Sequence, residues 1–224
     1  MGFIWELSDV EAHDNKKLHV IHTNDLQKVK DTVKHYEQHL KYQRQKIIGV
    51  DVKFTNKRAH EQKIALVKLF VGKTQLVLLF QLNITEEKST VFDNFLNEPR
   101  YTFAGFCIDE DIDKLDRVGL EIGHFINIQK EFRAPESTKY MNSLGDASSI
   151  IIDDYYTDMK HKMTDKDHTR WAKMPLFEKH IEYATKDVYA TYEIGDHITI
   201  TQDGLRREKI EKSKKRTTTW GHYD

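Results

Sequence analysis

IIGVDVKF, residues 47–54, is the stretch from which the fold can be inferred. Its β-branched and apolar residues predict a buried strand, and Asp51 comes near the end of that strand. Metal-dependent enzymes often place a carboxylate at such a position, with a second acid two residues later on the same face of the strand. Here the second position holds Lys53. The identity of this one side chain therefore bears directly on function.

The composition predicts one globular domain with both charges spread over its surface. A chain of 224 residues can bury about 70% of the surface that its unfolded form exposes. Charged residues make up 32% of the chain but the net charge is −1, so no overall field requires a nucleic-acid partner. The single cysteine, Cys107, excludes an internal disulfide and a cysteine-rich zinc site. With no leader pattern and no apolar run of about 18 residues, we expect an intracellular protein of the nucleus, the cytoplasm or both, without a membrane partner.

Hydrophobic periodicity predicts strands and helices that alternate along the chain. The segments with strand composition are 17–23, 47–54, 63–70, 74–82, 101–108 and 124–129, and Gly72-Lys73 forms a hairpin turn between two of them. The segments with helical spacing or helix boundary signals are 24–40, with Asn24 as N-cap, 86–99, 109–120, 141–156 and 176–198. In the last helix, residues Ile181, Ala184, Val188 and Tyr192 form an apolar stripe. This order indicates an α/β or α+β domain with a mixed sheet covered by helices.

Three acids and a tyrosine occupy positions from which side chains could meet. Asp51 lies near the end of the first central strand, Asp111 opens the helix after a later strand, and Asp187 lies in the last helix. Tyr183 precedes Asp187 by four residues, so its hydroxyl shares a helix face with that carboxylate. Each residue alone also has an ordinary interpretation, as a loop acid, a helix cap, a solvated helix face or a core tyrosine.

Together these segments resemble a known nuclease family. Asp51-x-Lys53, FAGFCIDEDIDKL (103–115), WAKMPL (171–176) and YATKDVYA (183–190) follow one another at the separations found in the 3′–5′ exonuclease domain of the Werner-syndrome helicase and ribonuclease D. The chain is similar to the tyrosine-bearing branch of the DEDD exonucleases, and especially to short stand-alone plant members. The resemblance implies an α/β, ribonuclease H-like fold with a mixed five-stranded sheet flanked by helices.

The resemblance also divides the chain into three parts. It covers residues 17–200 as the exonuclease-like domain and leaves residues 1–16 as a polar lead and residues 201–224 as a basic tail. The tail contains the one basic run of the sequence. Such a run could contact phosphates, serve as a nuclear address or be a plain solvated tail.

In that family two divalent ions, roughly 3.5–4 Å apart, clamp the scissile phosphate and generate the attacking hydroxide. Oxygen ligands suit Mg²⁺ or Mn²⁺. By resemblance, Asp51 would bridge both ions, Asp111 would hold the second and Asp187 the first, while the Tyr183 hydroxyl would orient the water. The family's glutamate that helps bind the first ion is missing, and Lys53 occupies its position.

The lysine changes the charge of the site by two units, because three carboxylates and one ammonium replace four carboxylates. At an effective dielectric constant near 20, an ammonium about 4 Å from a divalent ion repels it by roughly 8 kcal/mol. We therefore expect an ion pair between Lys53 and Asp51 or Asp187 in place of the first metal. Two alternatives remain open: Asp109 or Glu110 substitutes for the missing acid, or Lys53 points into solvent.

Three functional hypotheses follow. The first is a pseudo-exonuclease, a nucleic-acid-binding or protein-interaction module that has lost its first metal, and Lys68, where relatives often carry glutamine, also favours it. The second is a working exonuclease that uses the remaining acids on DNA or RNA, with Mg²⁺ or Mn²⁺ as cofactor. The third is an inert subunit in a homo-oligomer or in an assembly with active paralogues.

Overall fold

The computed structural model of the chain describes the backbone of residues 3–55, 62–82, 89–131, 143–157 and 163–219, and their side chains except those of 7–9 and 200–219. Within these residues the strands and α-helices are β1 (Ile4–Glu11), β2 (Lys17–Thr23), α1 (Leu26–Leu40), β3 (Ile47–Phe54), β4 (Ile64–Val71), β5 (Leu76–Gln81), α2 (Thr90–Leu96), β6 (Thr102–Gly105), α3 (Asp109–Arg117), β7 (Phe125–Asn127), α4 (Ile128–Glu131), α5 (Leu144–Ile151) and α6 (Glu178–Thr219). Two predicted helices, 86–99 and 141–156, begin outside the described residues, at positions 86–88 and 141–142.

The strands form one mixed sheet in the order β1-β2-β5-β4-β3-β6-β7. β3, β4 and β5 pair antiparallel as consecutive strands, and β6 and β7 then add in parallel beside β3. The α/β fold with a mixed sheet flanked by helices is thus confirmed. The sheet is wider than the predicted five strands, because β2 pairs in parallel with β5 and β1 pairs antiparallel with β2.

The N-terminal segment contains a strand that the sequence analysis placed in a polar lead. Ile4 and Trp5 in β1 are 53% and 39% exposed, so this edge strand shows no continuous apolar pattern. The adjacent cap also differs from the prediction. Asn24 accepts a hydrogen bond from the Phe3 amide instead of capping α1, and Asp25 caps the helix by accepting from the Lys28 amide at 2.8 Å.

Helices cover both faces of the sheet and create two apolar cores. α1, α2 and α3 pack on one face, and α5 and α6 pack on the other. Side chains alternate along β3, so that Val50 and Val52 enter the α1 core while Asp51 and Lys53 face α6. Every residue of β4 is buried, because this central strand is covered on both sides. Lys68 is therefore a buried residue of the sheet.

α6 crosses β3 and β6 at two glycines. A Cβ added at Gly49 would lie 2.6 Å from the Val188 carbonyl oxygen, and one added at Gly195 would overlap the Cβ of Ala104. The predicted apolar stripe of this helix is confirmed, since all four of its residues are buried against the sheet. The close approach brings the middle of α6, with Tyr183 and Asp187, over the end of β3.

The C-terminal end of the described chain continues the last helix. The backbone of α6 extends to Thr219, so residues 201–219 of the predicted basic tail are helical instead of an irregular extension. The domain boundary at residue 200 itself remains a prediction. Over the described residues, no helix is both long enough and apolar enough to cross a membrane.

Candidate active site

Four charged side chains meet between the sheet and α6. Asp51 and Lys53 lie on β3, and Lys68 lies opposite Asp51 on β4. Asp187 lies on α6, and its carboxylate contacts both lysines. Lys53 Nζ lies 3.1 Å from Oδ2 of Asp51 and 3.0 Å from Oδ2 of Asp187. Lys68 Nζ is 3.0 Å from the same Asp187 oxygen and forms a second, shorter ion pair with Asp51 Oδ2. Each ammonium therefore bridges both carboxylates, and we call these four residues the ion-pair cluster.

The cluster is buried and has a formal charge of zero. The side chain of Lys68 is fully buried, and those of Asp187, Asp51 and Lys53 are 4%, 12% and 21% exposed. Charges persist at such burial only when they are paired and hydrogen-bonded. The predicted ion pair of Lys53 is thus observed with both carboxylates, and its side chain does not point into solvent.

Lys53 and Asp51 are held in their charged forms by the cluster, whereas burial, together with the charge of Lys53, lowers the pKa of Lys68 in spite of the two carboxylates. Burial opposes the charge on Lys53, but the carboxylates of Asp187 and Asp51 outweigh it and raise the pKa of the ammonium well above its usual value. Burial also opposes the charge on Asp51, but the ammonium groups of Lys53 and Lys68 hold the pKa of this carboxyl below its ordinary value. Lys53 and Asp51 are therefore both charged at neutral pH.

Asp111 belongs to the same site but remains outside the ion pairs of the cluster. It lies in the first turn of α3, where burial and then the charge of Asp51 raise the pKa of its carboxyl to about 7. Its neighbours do not replace the missing acid. Asp109 accepts a hydrogen bond from Asn127 and pairs with Lys130 at 2.9 Å, on the side of β7 and α4, while Glu110 is exposed.

Aromatic rings form one wall of the site. Lys53 Nζ lies 5.9 Å from the ring centroid of Trp171 and 6.0 Å from that of Tyr183, and His168 contacts Tyr183 edge-on at 5.6 Å. Burial raises the pKa of the Tyr183 hydroxyl, so it is neutral. His168 was missed by the sequence analysis, because a histidine three residues before a tryptophan is too common a pattern to indicate a site.

A buried amide fixes this wall to the sheet. Gln81, at the end of β5, donates from Nε2 to the backbone oxygens of Trp171 at 3.1 Å and Lys173 at 2.7 Å. Its Oε1 is hydrogen-bonded to His22 Nε2 at 2.7 Å. Trp171 itself is 2% exposed, so its ring packs inside the wall.

The donor set does not fit a pair of divalent ions. In the ranges that the structure describes, no three His, Cys, Asp or Glu residues are arranged to hold a metal. Two of the carboxylates that the family would use, Asp51 and Asp187, each share an oxygen between two ammonium groups. A cation entering at that oxygen would meet two like charges and find its ligand occupied.

A family model described as 3′–5′ exonuclease matches residues 23–201 of the chain. The chain belongs to the 3′–5′ exonuclease family. The match spans β3, β4, α3 and most of the described part of α6, and thus includes every residue of the ion-pair cluster. No curated protein sequence matches this exonuclease-family chain significantly.

Solved structures are similar to the chain in fold. Escherichia coli RNase D superposes with a TM-score of 0.59 at 18% identity, covering 80% of this chain and 43% of its own. The GMP complex of Trypanosoma brucei RNase D gives 0.64 at 15% identity, with 78% and 55% covered. NrnC of Brucella melitensis, which contains bound Mg²⁺, gives 0.56 at 15% identity, with 81% and 90% covered. The ribonuclease H-like fold is thereby confirmed, and the chain spans about half the length of these RNase D chains.

Proposed function

We propose that the chain is a pseudo-exonuclease of the tyrosine-bearing DEDD branch, which binds nucleic acid but hydrolyses it poorly or not at all. One observation carries the proposal: the ammonium of Lys53 lies within 3.1 Å of both carboxylates, and the ammonium of Lys68 contacts both as well. In a two-metal nuclease, +4 of ionic charge meets the acids and the phosphate. Here two protein cations already neutralise Asp51 and Asp187.

The ammonium groups cannot take over the chemistry of the ions. A protonated lysine can only donate hydrogen bonds to water and has no vacant orbital to accept the lone pair of the water oxygen. Its single charge also lowers the pKa of a neighbouring water far less than a bound divalent ion does. The hydroxide that the family's mechanism requires would therefore not form at neutral pH. Any Mg²⁺ or Mn²⁺ would have to displace Lys53 before Asp51, Asp111 and Asp187 could hold it, which is why we propose that the first metal site is impaired.

A working exonuclease is the second candidate, and one observation favours it. Asp51, Asp111, Asp187 and Tyr183 all retain the residue types of the family motif and come to one site from three elements. The Lys53 side chain is 21% exposed, so it lies at the rim of the cluster, where displacement by an arriving ion costs less than at Lys68.

The proposed partner is nucleic acid, either DNA or RNA. The support is the family match together with a neighbour of the same fold, T. brucei RNase D, whose structure includes RNA U12. The resemblance of the motifs to the Werner-helicase domain and to short stand-alone plant proteins is part of the same proposal. A homo-oligomer or an assembly with active paralogues, in the nucleus or the cytoplasm, remains a proposal that rests on the same resemblance.

Cleavage of end-labelled single-stranded and recessed-3′ substrates, with Mn²⁺ and with Mg²⁺, tests the proposal. The natural protein is compared with Lys53→Glu, with Lys53→Glu/Lys68→Gln, and with each combined with Asp187→Asn. We expect no cleavage above background by the natural protein, and a gain in the double variant that Asp187→Asn abolishes. Cleavage by the natural protein that disappears in Asp187→Asn contradicts the proposal and establishes the working exonuclease. If none of the variants cleaves, the two lysines are not what makes the protein inactive.

A further inference from the structure

An exposed aromatic ring with two cations lies just before α6. Phe177 is 38% exposed, Lys173 Nζ is 3.9 Å from the centroid of its ring, and Arg170 Cζ is 5.8 Å from it. Met174, on the same segment, is 37% exposed. We call Arg170, Lys173, Met174 and Phe177 the basic-aromatic surface.

The two cations of this surface are available to an external anion. Among the ion pairs of the described residues, neither Arg170 nor Lys173 pairs with a carboxylate. The buried acid of the same segment, Asp167, is already occupied by Lys179 at 2.6 Å and by the backbone amide of Thr164 at 3.0 Å. The positive charge therefore faces outward.

The basic-aromatic surface lies close to the candidate active site. The ring of Phe177 lies 5.7 Å from that of His180, which contacts the Trp171 ring edge-on at 5.1 Å. Trp171 in turn lies 5.9 Å from the ammonium of Lys53. Three contacts, through the buried rings of His180 and Trp171, thus place the exposed ring near the ion-pair cluster.

The sheet holds this surface in place. The Gln81 amide donates to the backbone oxygens of Trp171 and Lys173, and the Trp171 side chain is buried behind the surface. Groups that are fixed before binding lose less conformational freedom when a ligand arrives. The position of the two cations relative to the site is therefore set by the fold.

We infer that the basic-aromatic surface binds the single strand of a nucleic acid whose 3′ end lies at the ion-pair cluster. Arg170 and Lys173 contact backbone phosphates. When Lys173 moves from the ring of Phe177 onto a phosphate, the ring face becomes free and a base stacks on it. The inference rests on the proposed function, because it gives the proposed nucleic-acid partner its path to the same site. It also predicts binding that is largely independent of base sequence, since phosphates and ring faces carry little sequence information.

An acidic protein segment is the competing occupant. It would satisfy both cations, but its carboxylates would gain nothing from an exposed ring that leads to an exonuclease-family site. A nucleic acid uses the cations and the ring together, and a free 3′ end accounts for the contact chain to the cluster. The observations therefore favour the nucleic acid.

Fluorescence anisotropy of a labelled single-stranded oligonucleotide with a free 3′ hydroxyl, in EDTA and over a series of salt concentrations, tests the inference. The natural protein is compared with Arg170→Gln/Lys173→Gln and with Phe177→Leu. The matched control is Lys41→Gln/Tyr42→Leu: these residues form a similar exposed pair, at 5.5 Å, after α1 on the other face of the sheet. Circular dichroism shows that each variant is folded.

We expect Arg170→Gln/Lys173→Gln to weaken binding at least tenfold and to reduce the salt slope by about 1.4, since each phosphate contact on a single strand contributes about 0.7. Phe177→Leu should raise Kd roughly tenfold without changing the slope, while the control stays near the natural protein. If the natural protein binds but these variants match the control, the inference is wrong and the proposed function stands. If the natural protein does not bind the oligonucleotide at all, the proposed nucleic-acid partner fails as well. Equal affinity for a polyglutamate peptide overturns the inference in favour of an acidic protein partner.

Discussion

Lys53 and Lys68 contact the same two carboxylates but lie in different surroundings. Lys68 is fully buried on the central strand, whereas Lys53 lies at the rim beside Trp171 and Tyr183. In a balanced cluster of this kind, removing one charge leaves another buried charge uncompensated, which costs more than removing a pair. The two lysines should therefore differ in what they do: Lys68 maintains the fold, and Lys53 controls access of a cation to the acids.

Substitution of Lys68 by methionine should reduce the free energy of unfolding by about 3–5 kcal/mol, because Asp51 and Asp187 would then share one ammonium. Lys68→Met/Asp187→Asn restores a neutral cluster and should lose less than the single variant. Urea unfolding measures both. The control Arg100→Gln breaks the exposed pair with Glu98 and should cost far less than the loss of Lys68, because solvent screens an exposed ion pair. A single-variant loss no larger than that of the control would contradict the compensation argument.

His22 makes the stability of the fold depend on pH. It is fully buried, its Nδ1 has no hydrogen-bond partner among the residues that the structure describes, and burial lowers its pKa to about 4 in spite of the hydrogen bond with Gln81. The folded protein thus keeps His22 neutral, while the unfolded chain binds a proton near pH 6.5. The contribution of neutral His22 to the free energy of unfolding is fully present above about pH 6.5. It is lost as the pH falls toward 4, and the loss amounts to up to roughly 3 kcal/mol.

Urea unfolding at neutral pH and near pH 5 checks this expectation. In His22→Gln the side-chain amide can still donate to Gln81 but does not titrate, so the loss of stability on acidification should shrink. His168 and His180, whose pKa values burial also lowers, are present in both proteins. The difference in pH dependence of the unfolding free energy between the two proteins therefore reports on His22. Equal losses of stability on acidification would show that His22 has no such role.

At the residue scale, the sequence motifs identify Asp51, Asp187 and Lys53 and predict that the lysine pairs with an acid. They do not reveal that Lys68 forms a second bridge. That contact depends on the register of β3 against β4, which places Asp51 opposite Lys68, and on the height at which α6 crosses the sheet. Both are tertiary features that a local pattern does not contain.

Elements with buried faces could be predicted from the sequence, and those at the edges could not. β3, β4 and β5 have nearly continuous apolar runs because both faces of the sheet are covered, and the stripe of α6 repeats at helical spacing. β1 has an exposed outer face and a register shift between Leu7 and Val10, so its pattern is interrupted. The predicted cap is displaced because Asn24 accepts its hydrogen bond from Phe3, the residue just before this strand.

The crossing of α6 over the sheet gives a prediction at the scale of elements. Gly195→Ala would bring a methyl group into the Cβ of Ala104 and should cost about 1–3 kcal/mol, although alanine favours a helix more than glycine does. Gly195→Ala/Ala104→Gly exchanges the two side chains and leaves the new methyl group in ordinary contact, its next neighbour, Ile47 Cγ2, being 3.7 Å away. The double variant should recover most of the loss in chemical denaturation. No recovery would mean that the helix does not approach β6 so closely.

For the molecule as a whole, the proposed impairment of the metal site predicts that folding does not depend on divalent ions. Four converging carboxylates without ions would repel one another and favour the protonated forms. Here internal cations remove that repulsion between β3, β4 and α6, whichever ions are in solution. The fold of an exonuclease is thus retained with a site that carries its own counterions.

The stability of the natural protein should therefore not respond to Mg²⁺ or Mn²⁺. A ligand that binds only the folded state stabilises it by RT ln(1 + [L]/Kd), which is about 2.7 kcal/mol at a concentration of one hundred times Kd. Without a metal, Lys53→Glu/Lys68→Gln should be less stable than the natural protein, because its acids then repel one another. Mn²⁺ should raise its melting temperature, and adding Asp187→Asn should remove most of that increase. Differential scanning calorimetry over a series of Mn²⁺ and Mg²⁺ concentrations measures these changes. A rise in the natural protein's melting temperature, abolished by Asp187→Asn, would mean that metal ions displace Lys53 and that the lysines are not permanent counterions of the site.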